Sequence, residues 1–386
     1  MDEVYLDARR VGDVEPPKRQ KGLKAKIKAF FQNPRKRLIF IIISGLILIL
    51  AAAAGYYFYM KNTDKVAIEN VEKDAAPTLY QAPLDGVMIT DVAASTRHPL
   101  GVIIENHTDA RPQQGLTAAS IVYEAIAEGG ITRFLALYGT NTPDEVGPIR
   151  SMRTYFLNWA EGYEAYTAHV GGNIDALDQI RSDGALDLDQ FRYSAPYGRK
   201  SGLGVSSEHT MFASVPKLYD QASANKYTTD NNFKVYAFKD DAAKDSAEYA
   251  ALPESQSISI NYGNPNYNVV FNYDKATNSY LRSMGGKPHS DRISKAQINP
   301  KNVIVMTVNR KATVTRINEH GYIMTTTGEG TARMFIDGKE IIGTWKKTSN
   351  SSREVFYDAA GKEITFNRGQ FWISVISPDL PGITVQ

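Results

Sequence analysis

Hydrophobic positions divide this chain into three regimes. From Leu38 to Met60 the run LIFIIISGLILILAAAAGYYFYM holds 23 consecutive residues without a formal charge. At about 1.5 Å per residue such a helix reaches roughly 34 Å, enough to span a hydrocarbon core of about 30 Å with some tilt. One transmembrane helix is therefore expected over 38–60. Beyond it the apolar stretches alternate in period. LGVIIE (100–105), ITRFLALY (131–138) and Tyr163 to Val170 read as strands. Met152 to Glu161 and Ile174 to Ser182 read as helices. So does Thr117 to Glu128, with Thr117 as N-cap, an apolar face of Ile121, Val122, Ala125 and Ile126, and a stop at Gly129-Gly130. Strands alternating with helices predict an α/β domain over 83–238, a mostly parallel sheet with covering helices. A helix over Ala213 to Lys226 and a strand over Phe233 to Phe238 complete it. A charged, Ala-rich bridge (239–254) follows.

From Ser255 the period shortens to two. SISINY, YNVVFNY, SYLRSM, NVIVMTV, GYIMTTT, ARMFIDG, REVFYDAAGKEITF and QFWISVIS are short β-rich runs separated by Gly, Asn, Asp and Pro. Asp358-Ala-Ala-Gly361 reads as a hairpin turn. These runs predict a β-rich C-terminal domain over 255–386, a sandwich or a barrel-like fold. Residues 61–82 mix charge, Ala and Pro and read as a linker. In the N-terminal arm, Leu23, Ile27, Phe30 and Phe31 recur at helical spacing between lysines. They fit a short amphipathic helix on an anionic inner leaflet, or equally a solvated basic flank.

Charge changes the picture by setting direction. Lys18 to Arg37 holds nine Lys or Arg and no acid, whereas the far flank of the apolar run opens with Lys61, Asp64 and Lys65. Basic flanks stay in the cytoplasm, so the arm (1–37) is expected inside and the domains outside. A cleaved signal peptide is the competing reading, with Ala51 to Ala54 as its cleavage site. The tyrosines at 56, 57 and 59 suit an interfacial belt and favour an uncleaved anchor. The arm carries a net +6 within a chain of net +2, so residues 38–386 are mildly acidic and offer no basic surface for nucleic acid. With no cysteine there is no disulfide, thiolate chemistry or lipidated cysteine.

Candidate chemistry gathers after the expected strands. Glu105, Asn106, His107 and Arg111 follow the first; Arg150 and Arg153 follow the second; His169, Gly171, Gly172 and Asn173 follow the third. Strand ends of a parallel sheet face one crevice, and arginine forks suit carboxylate or phosphate. A ligand site drawn from His107, Arg111, Arg150, Arg153, His169 and Asn173 is one reading; ordinary loop polarity is the other. Glu124 and Glu128, four apart, are candidates for acid–base work together with His169, against the plainer reading of a solvated edge paired with Arg133. The loop 183–212 is long for a structureless one and reads as functional. Ser214-Val-Pro-Lys217 fits S-x-x-K, but Lys200-Ser201-Gly202 precedes it, in the wrong order for a penicillin-binding enzyme. Gly202-Leu-Gly204 follows no strand and is no dinucleotide fingerprint. No cofactor and no metal set is assigned: the six histidines lack H-E-x-x-H spacing, and a set assembled from distant loops stays open.

Longer stretches carry a resemblance. PLDG (83–86), ENHTDARPQ within 105–113, YEAIAEGGITRFLALY (123–138), VGPIRSMRTYF (146–156), HVGG (169–172) and SEHTMF (207–212) resemble the YerB-like family of bacterial envelope proteins. So do YDKATNSYLRSMGGKPHSD (273–291), NVIV (302–305), GTWKK and GQFWI. The resemblance spans roughly residues 83–386 and implies an envelope location and a two-part architecture, without a reaction, since the family is one of unknown function. Two departures stand out. A better-known member is a lipoprotein, whereas this chain has no cysteine. Where such proteins often read P-H-N, this one has Glu208-His209-Thr210. The expected function is binding of an anionic envelope component: a wall glycan, a peptide carboxylate or a phosphate polymer. An envelope hydrolase or transferase, and a scaffold for another envelope protein, are the alternatives.

Overall fold

The computed structural model describes residues 27, 28, 31, 32, 34–69, 77–229 and 232–386 and divides into two units, the second covering Thr78–Gln386. In the first, α1 (Pro34–Glu69) contains a 28-residue stretch, Pro34–Lys61, long and apolar enough to cross a membrane. The expected linker therefore begins as helix. The amphipathic segment considered over 22–31 lies largely outside the described residues.

In the second unit the first half supplies β1 (Leu100–Glu105), β2 (Ile121–Glu128), β3 (Ile131–Tyr138), β4 (Tyr166–His169) and β5 (Asp187–Asp189). The second half supplies β6 (Ser257–Asn261), β7 (Val269–Asp274), β8 (Ser279–Met284), β9 (Lys287–Pro288) and β10 (Asn302–Thr307). After these come β11 (Gly328–Ile336), β12 (Lys339–Lys347), β13 (Val355–Asp358), β14 (Phe371–Ile376) and β15 (Gly382–Val385). Ten of them form one sheet in the order β13-β12-β11-β10-β14-β2-β3-β1-β4-β5. Both halves of the chain thus build the same sheet, joined where β14 runs parallel to β2, Phe371 opposite Ile121. The remaining five form a second sheet, β9-β8-β7-β6-β15.

The sheet is mixed, which corrects the mostly parallel one expected. The pairs β1–β4, β4–β5, β14–β2 and β10–β14 are parallel, whereas β2–β3 and β3–β1 are antiparallel. The cause is the segment expected as a helix over 117–128. It is a 3-10 turn at Leu116–Ala118 followed by strand β2. Every β2 residue up to Ala127 is buried, so the apolar positions serve two packed faces rather than one helical stripe. Gly129 and Gly130, with φ of 60° and 71°, make the two-residue hairpin turn that β-branched neighbours could not. A register irregularity between Ile126 and Glu128 then parts the two carboxylates that a helix would have stacked.

Each face of the large sheet carries its own core. On one, Val122, Phe134, Ala136 and Trp372 meet the second sheet through Ile258, Phe271 and Tyr280, together with helix α4 (Val215–Ala224). On the other, Tyr123, Leu135 and Ile373 meet α2 (Thr154–Glu161), through Tyr155, Phe156 and Trp159, and α3 (Ile174–Asp183). Ser214, half of the S-x-x-K match, caps α4 by accepting from the Lys217 N–H at 3.4 Å. The expected turn at Asp358–Gly361 is present, closed by Gly361 N–H to Asp358 O at 3.0 Å.

Candidate functional site

The site begins where β1 ends. Its last residue, Glu105, donates its backbone N–H to Pro148 O at 2.8 Å, Arg150 N–H donates to Ile103 O at 3.0 Å, and Ile149 N–H donates to Met211 O at 2.7 Å. Three segments distant in sequence are thereby laid side by side, and the side chains of Glu105, Arg150 and His209 converge. The buried Glu105 carboxylate forms an ion pair with the Arg150 guanidinium through one oxygen (Nε 3.2 Å from Oε1) and accepts from the His209 ring on the other (Nδ1 to Oε2, 3.0 Å). Because a carboxylate only accepts, His209 donates from Nδ1, and in the neutral form of the ring Nε2 keeps a lone pair. The ring of His107, which starts the 3-10 turn Thr108–Ala110, stacks on that of His209 at a centroid distance of 4.8 Å and an interplanar angle of 8°. Arg150 turns its other edge outward, with Nη1 3.3 Å from both the carboxylate and the carbonyl oxygen of Glu208. Arg150 beside it holds the Glu208 carboxyl below the usual range.

These residues line a cleft of about 340 Å³, which also takes in Asp109, Glu128, Thr132 and Arg133. Of the residues singled out from the sequence, Glu105, Asn106, His107, Glu128 and Arg150 line it. Glu128 and the others hold internal partners. Burial alone would raise the Glu128 carboxyl, but Arg133 and Arg153 keep it below the ordinary carboxylate range. Arg153 grips both its oxygens at 2.8 Å. Arg111 donates to Asn106 Oδ1 at 3.1 Å and Asn266 O at 2.8 Å, its guanidinium over the Tyr267 ring. His169 is wholly buried, with Nε2 2.8 Å from Asp187 and Nδ1 2.8 Å from Gly171 O. Asn173 caps α3, accepting from Ala176 N–H at 3.3 Å.

Glu124 is fully buried, far from any substrate's reach. Its Oε2 accepts from Arg282 Nη2 at 2.7 Å and from Trp372 Nε1 at 3.0 Å, and its Oε1 accepts from Thr132 at 2.9 Å. Arg282 in turn donates to His289 Nδ1, and His289 Nε2 to Gln113 Oε1 at 2.8 Å. Burial first, and then Arg282, push His289 well below its ordinary range, which keeps the ring neutral as this chain of bonds requires. The network ties residues of the first half to residues of the second.

Sequence reasoning named Glu105 among the residues after the first strand but left it out of the ligand set, and it missed Asp109, Glu208 and His209 as site members. The available signals were the His107-x-Asp109 spacing and the Glu208-His209 pair at the end of the long loop 183–212.

Comparisons with known proteins agree with this architecture. Residues 84–228 match the description "Protein of unknown function (DUF3048) N-terminal domain", and residues 258–373 match the corresponding C-terminal domain. The chain is similar to YerB of Bacillus subtilis (strain 168), a protein whose name calls it a lipoprotein, at 28% identity over 319 residues, 81% of this chain and 92% of the relative. It is also similar to the crystal structure of the YerB protein from Bacillus subtilis, with a TM-score of 0.69 at 28% identity over 79% of this chain and 99% of that one. The two matches fall in order on the two halves that share the large sheet, and the chain belongs to the DUF3048 family, the YerB-like proteins of unknown function.

Proposed function

We propose that the protein is held in the cytoplasmic membrane by α1, with its basic arm inside and its second unit outside, where the cleft at Arg150 binds an anionic envelope component. Nine basic residues ahead of the apolar run support the orientation. The cysteine-free chain uses a helix where its relative is named a lipoprotein. One observation carries the ligand reading. Arg150 is fixed from behind by the buried Glu105 but met in front by Glu208, whose side chain is 58% exposed. That outer carboxylate stands where a ligand's carboxylate or phosphate would stand, and an exposed ion pair of this kind contributes only about 0–1 kcal/mol, so it exchanges readily. The ligand oxyanion takes the outer edge of the guanidinium, and half-exposed His107 lies beside it.

A charge-assisted hydrogen bond contributes about 1.5–3 kcal/mol, so Arg150→Lys should weaken binding of soluble wall fragments about 10- to 100-fold. Glu208→Gln should tighten it by removing the internal competitor. Lowered thermal stability in Arg150→Lys with unaltered affinity would overturn the ligand reading. A reporter active only outside the membrane, fused after Gln386, should be active; protease protection of the second unit in wall-stripped cells would overturn the orientation.

A further inference from the structure

We infer a divalent-metal site of the zinc class at the mouth of this cleft, with His209 Nε2, a ring nitrogen of His107 and the Asp109 carboxylate as ligands. The inference does not rest on the anionic-ligand reading. Among the described residues, His107, Asp109 and His209 are the group whose potential ligand atoms all lie within 4.8 Å of one another. A second, independent feature points the same way. Metal-bound histidines nearly always donate their other ring N–H to a carboxylate or carbonyl, which fixes the tautomer and raises basicity. Glu105 does this to His209 at 3.0 Å. In the neutral ring this leaves a lone pair on Nε2 of a nearly buried side chain, 3.9 Å from Glu208 Oε1, another acceptor. Two acceptors facing each other across such a gap are accommodated by a cation between them.

The charge balance favours a cation as well. Four carboxylates, Glu105, Asp109, Glu128 and Glu208, line the cleft against the two guanidinium groups of Arg133 and Arg150. Two imidazoles with carboxylate, and no thiolate, suit Zn²⁺ and its borderline neighbours rather than Ca²⁺ or Mg²⁺. Glu208 or water fills the fourth position.

Closure requires a definite movement. Ligands about 2.0–2.2 Å from a tetrahedral ion lie roughly 3.3 Å apart, so the group must contract. The two rings are nearly parallel, and one ion cannot lie in both planes, so His107 must turn. It is free to: its side chain is 34% exposed, and its recorded hydrogen bond is a long one, 3.3 Å from the Asp109 N–H. Asp109 is exposed on the same turn. The buried His209 and Glu105 stay fixed while the surface pair swings in. A bound dication would also turn the mouth electropositive beside Arg150.

The test uses the full chain in detergent micelles, stripped with a chelator and titrated with Zn²⁺ alone against a chromogenic competitor. One equivalent should bind, and Co²⁺ in its place should give the absorption of a tetrahedral nitrogen–oxygen site. His209→Ala, His107→Ala and Asp109→Asn should each weaken Zn²⁺ binding at least about 10-fold, and Glu105→Gln about 10- to 100-fold, the loss expected when an orienting carboxylate is removed. His107 and Asp109 are surface residues, so their variants keep the fold and separate ligand loss from unfolding. Failure to bind an equivalent of Zn²⁺, or wild-type affinity in both His107→Ala and Asp109→Asn, would overturn the site. Since no wall fragment is present, neither result bears on anionic-ligand binding, which is measured on the stripped protein.

Discussion

Replacing Glu124 by glutamine isolates one charge in the centre of the fold. The amide oxygen can take over the bonds from Arg282 and Trp372, and the amide NH₂ can donate to Thr132, so shape and most hydrogen bonds survive. What disappears is the counter-charge of a guanidinium with no exposed surface. Removing one partner of a buried pair costs about 3–5 kcal/mol, because the other charge is left uncompensated. Arg282 also lies 4.2 Å over the Trp372 ring, and a desolvated cation–π contact of about 2 kcal/mol remains in the variant. The expected loss is therefore at the lower end, about 3 kcal/mol. Unfolding entropy of about 2.1 cal/mol/K per residue over roughly 310 residues converts this into a fall in Tm of about 5 °C. All three tryptophans, Trp159, Trp345 and Trp372, are buried in the second unit, so fluorescence-monitored urea and thermal unfolding of the full chain report that unit alone. Glu124→Gln, Arg282→Met and the double variant close a cycle in which coupling should reach at least about 2 kcal/mol. Glu124→Gln within about 0.5 kcal/mol of wild type, or an additive cycle, would refute the reasoning.

Further consequences are testable in the same assay. At Gly343 an added Cβ would lie 1.8 Å from the Tyr357 carbonyl oxygen of the neighbouring strand, backbone that has no rotamer to yield. Gly343→Ala should therefore destabilise by about 1–3 kcal/mol as β13 is pushed off β12, and an unshifted unfolding midpoint would contradict the tight pairing. Burial, and then Asp183, raise the Glu161 carboxyl to about 7, with Lys347 opposing. Its folded value lies above its unfolded one, so the native state binds the proton more tightly and stability falls as pH rises from about 4.5 to 7. Glu161→Gln should gain on wild type between pH 5 and pH 8, and an equal difference at both pH values would sink the assignment.

Local pattern was enough for elements whose periodicity is unambiguous. LGVIIE and ITRFLALY are strands, Met152 to Glu161 and Ile174 to Ser182 contain helices, and Asp358 to Gly361 turns a hairpin. It failed over Ile121–Glu128, where a strand buried on both faces presents the same i, i+3, i+4 apolar residues as a helix and the glycine pair reads as a stop. It was silent on the sheet shared by both halves, because nothing near Ile121 encodes Phe371 as its partner. Arg150 and His107 were legible as polar residues following strands. Glu105 was legible in the same way, but its role as the partner of Arg150 and His209 was not, since His209 sits in a loop without periodicity. Arg153 and His169 looked equally exposed in sequence, and only the fold supplies Glu128 and Asp187 as their partners.

The parallel seam between β14 and β2 has a consequence for biogenesis. A ribosome releases β2 about 250 residues before the strand that covers one of its edges, and closing a loop of that length precedes any reward from the pairing. Until then, Ile121 to Glu128 presents an apolar, unpaired edge, the kind of surface that recruits a second nascent chain. Completion of the central sheet must therefore wait until nearly the whole polypeptide is available, and a chain shortened before Phe371 would be left with an open seam rather than a smaller protein.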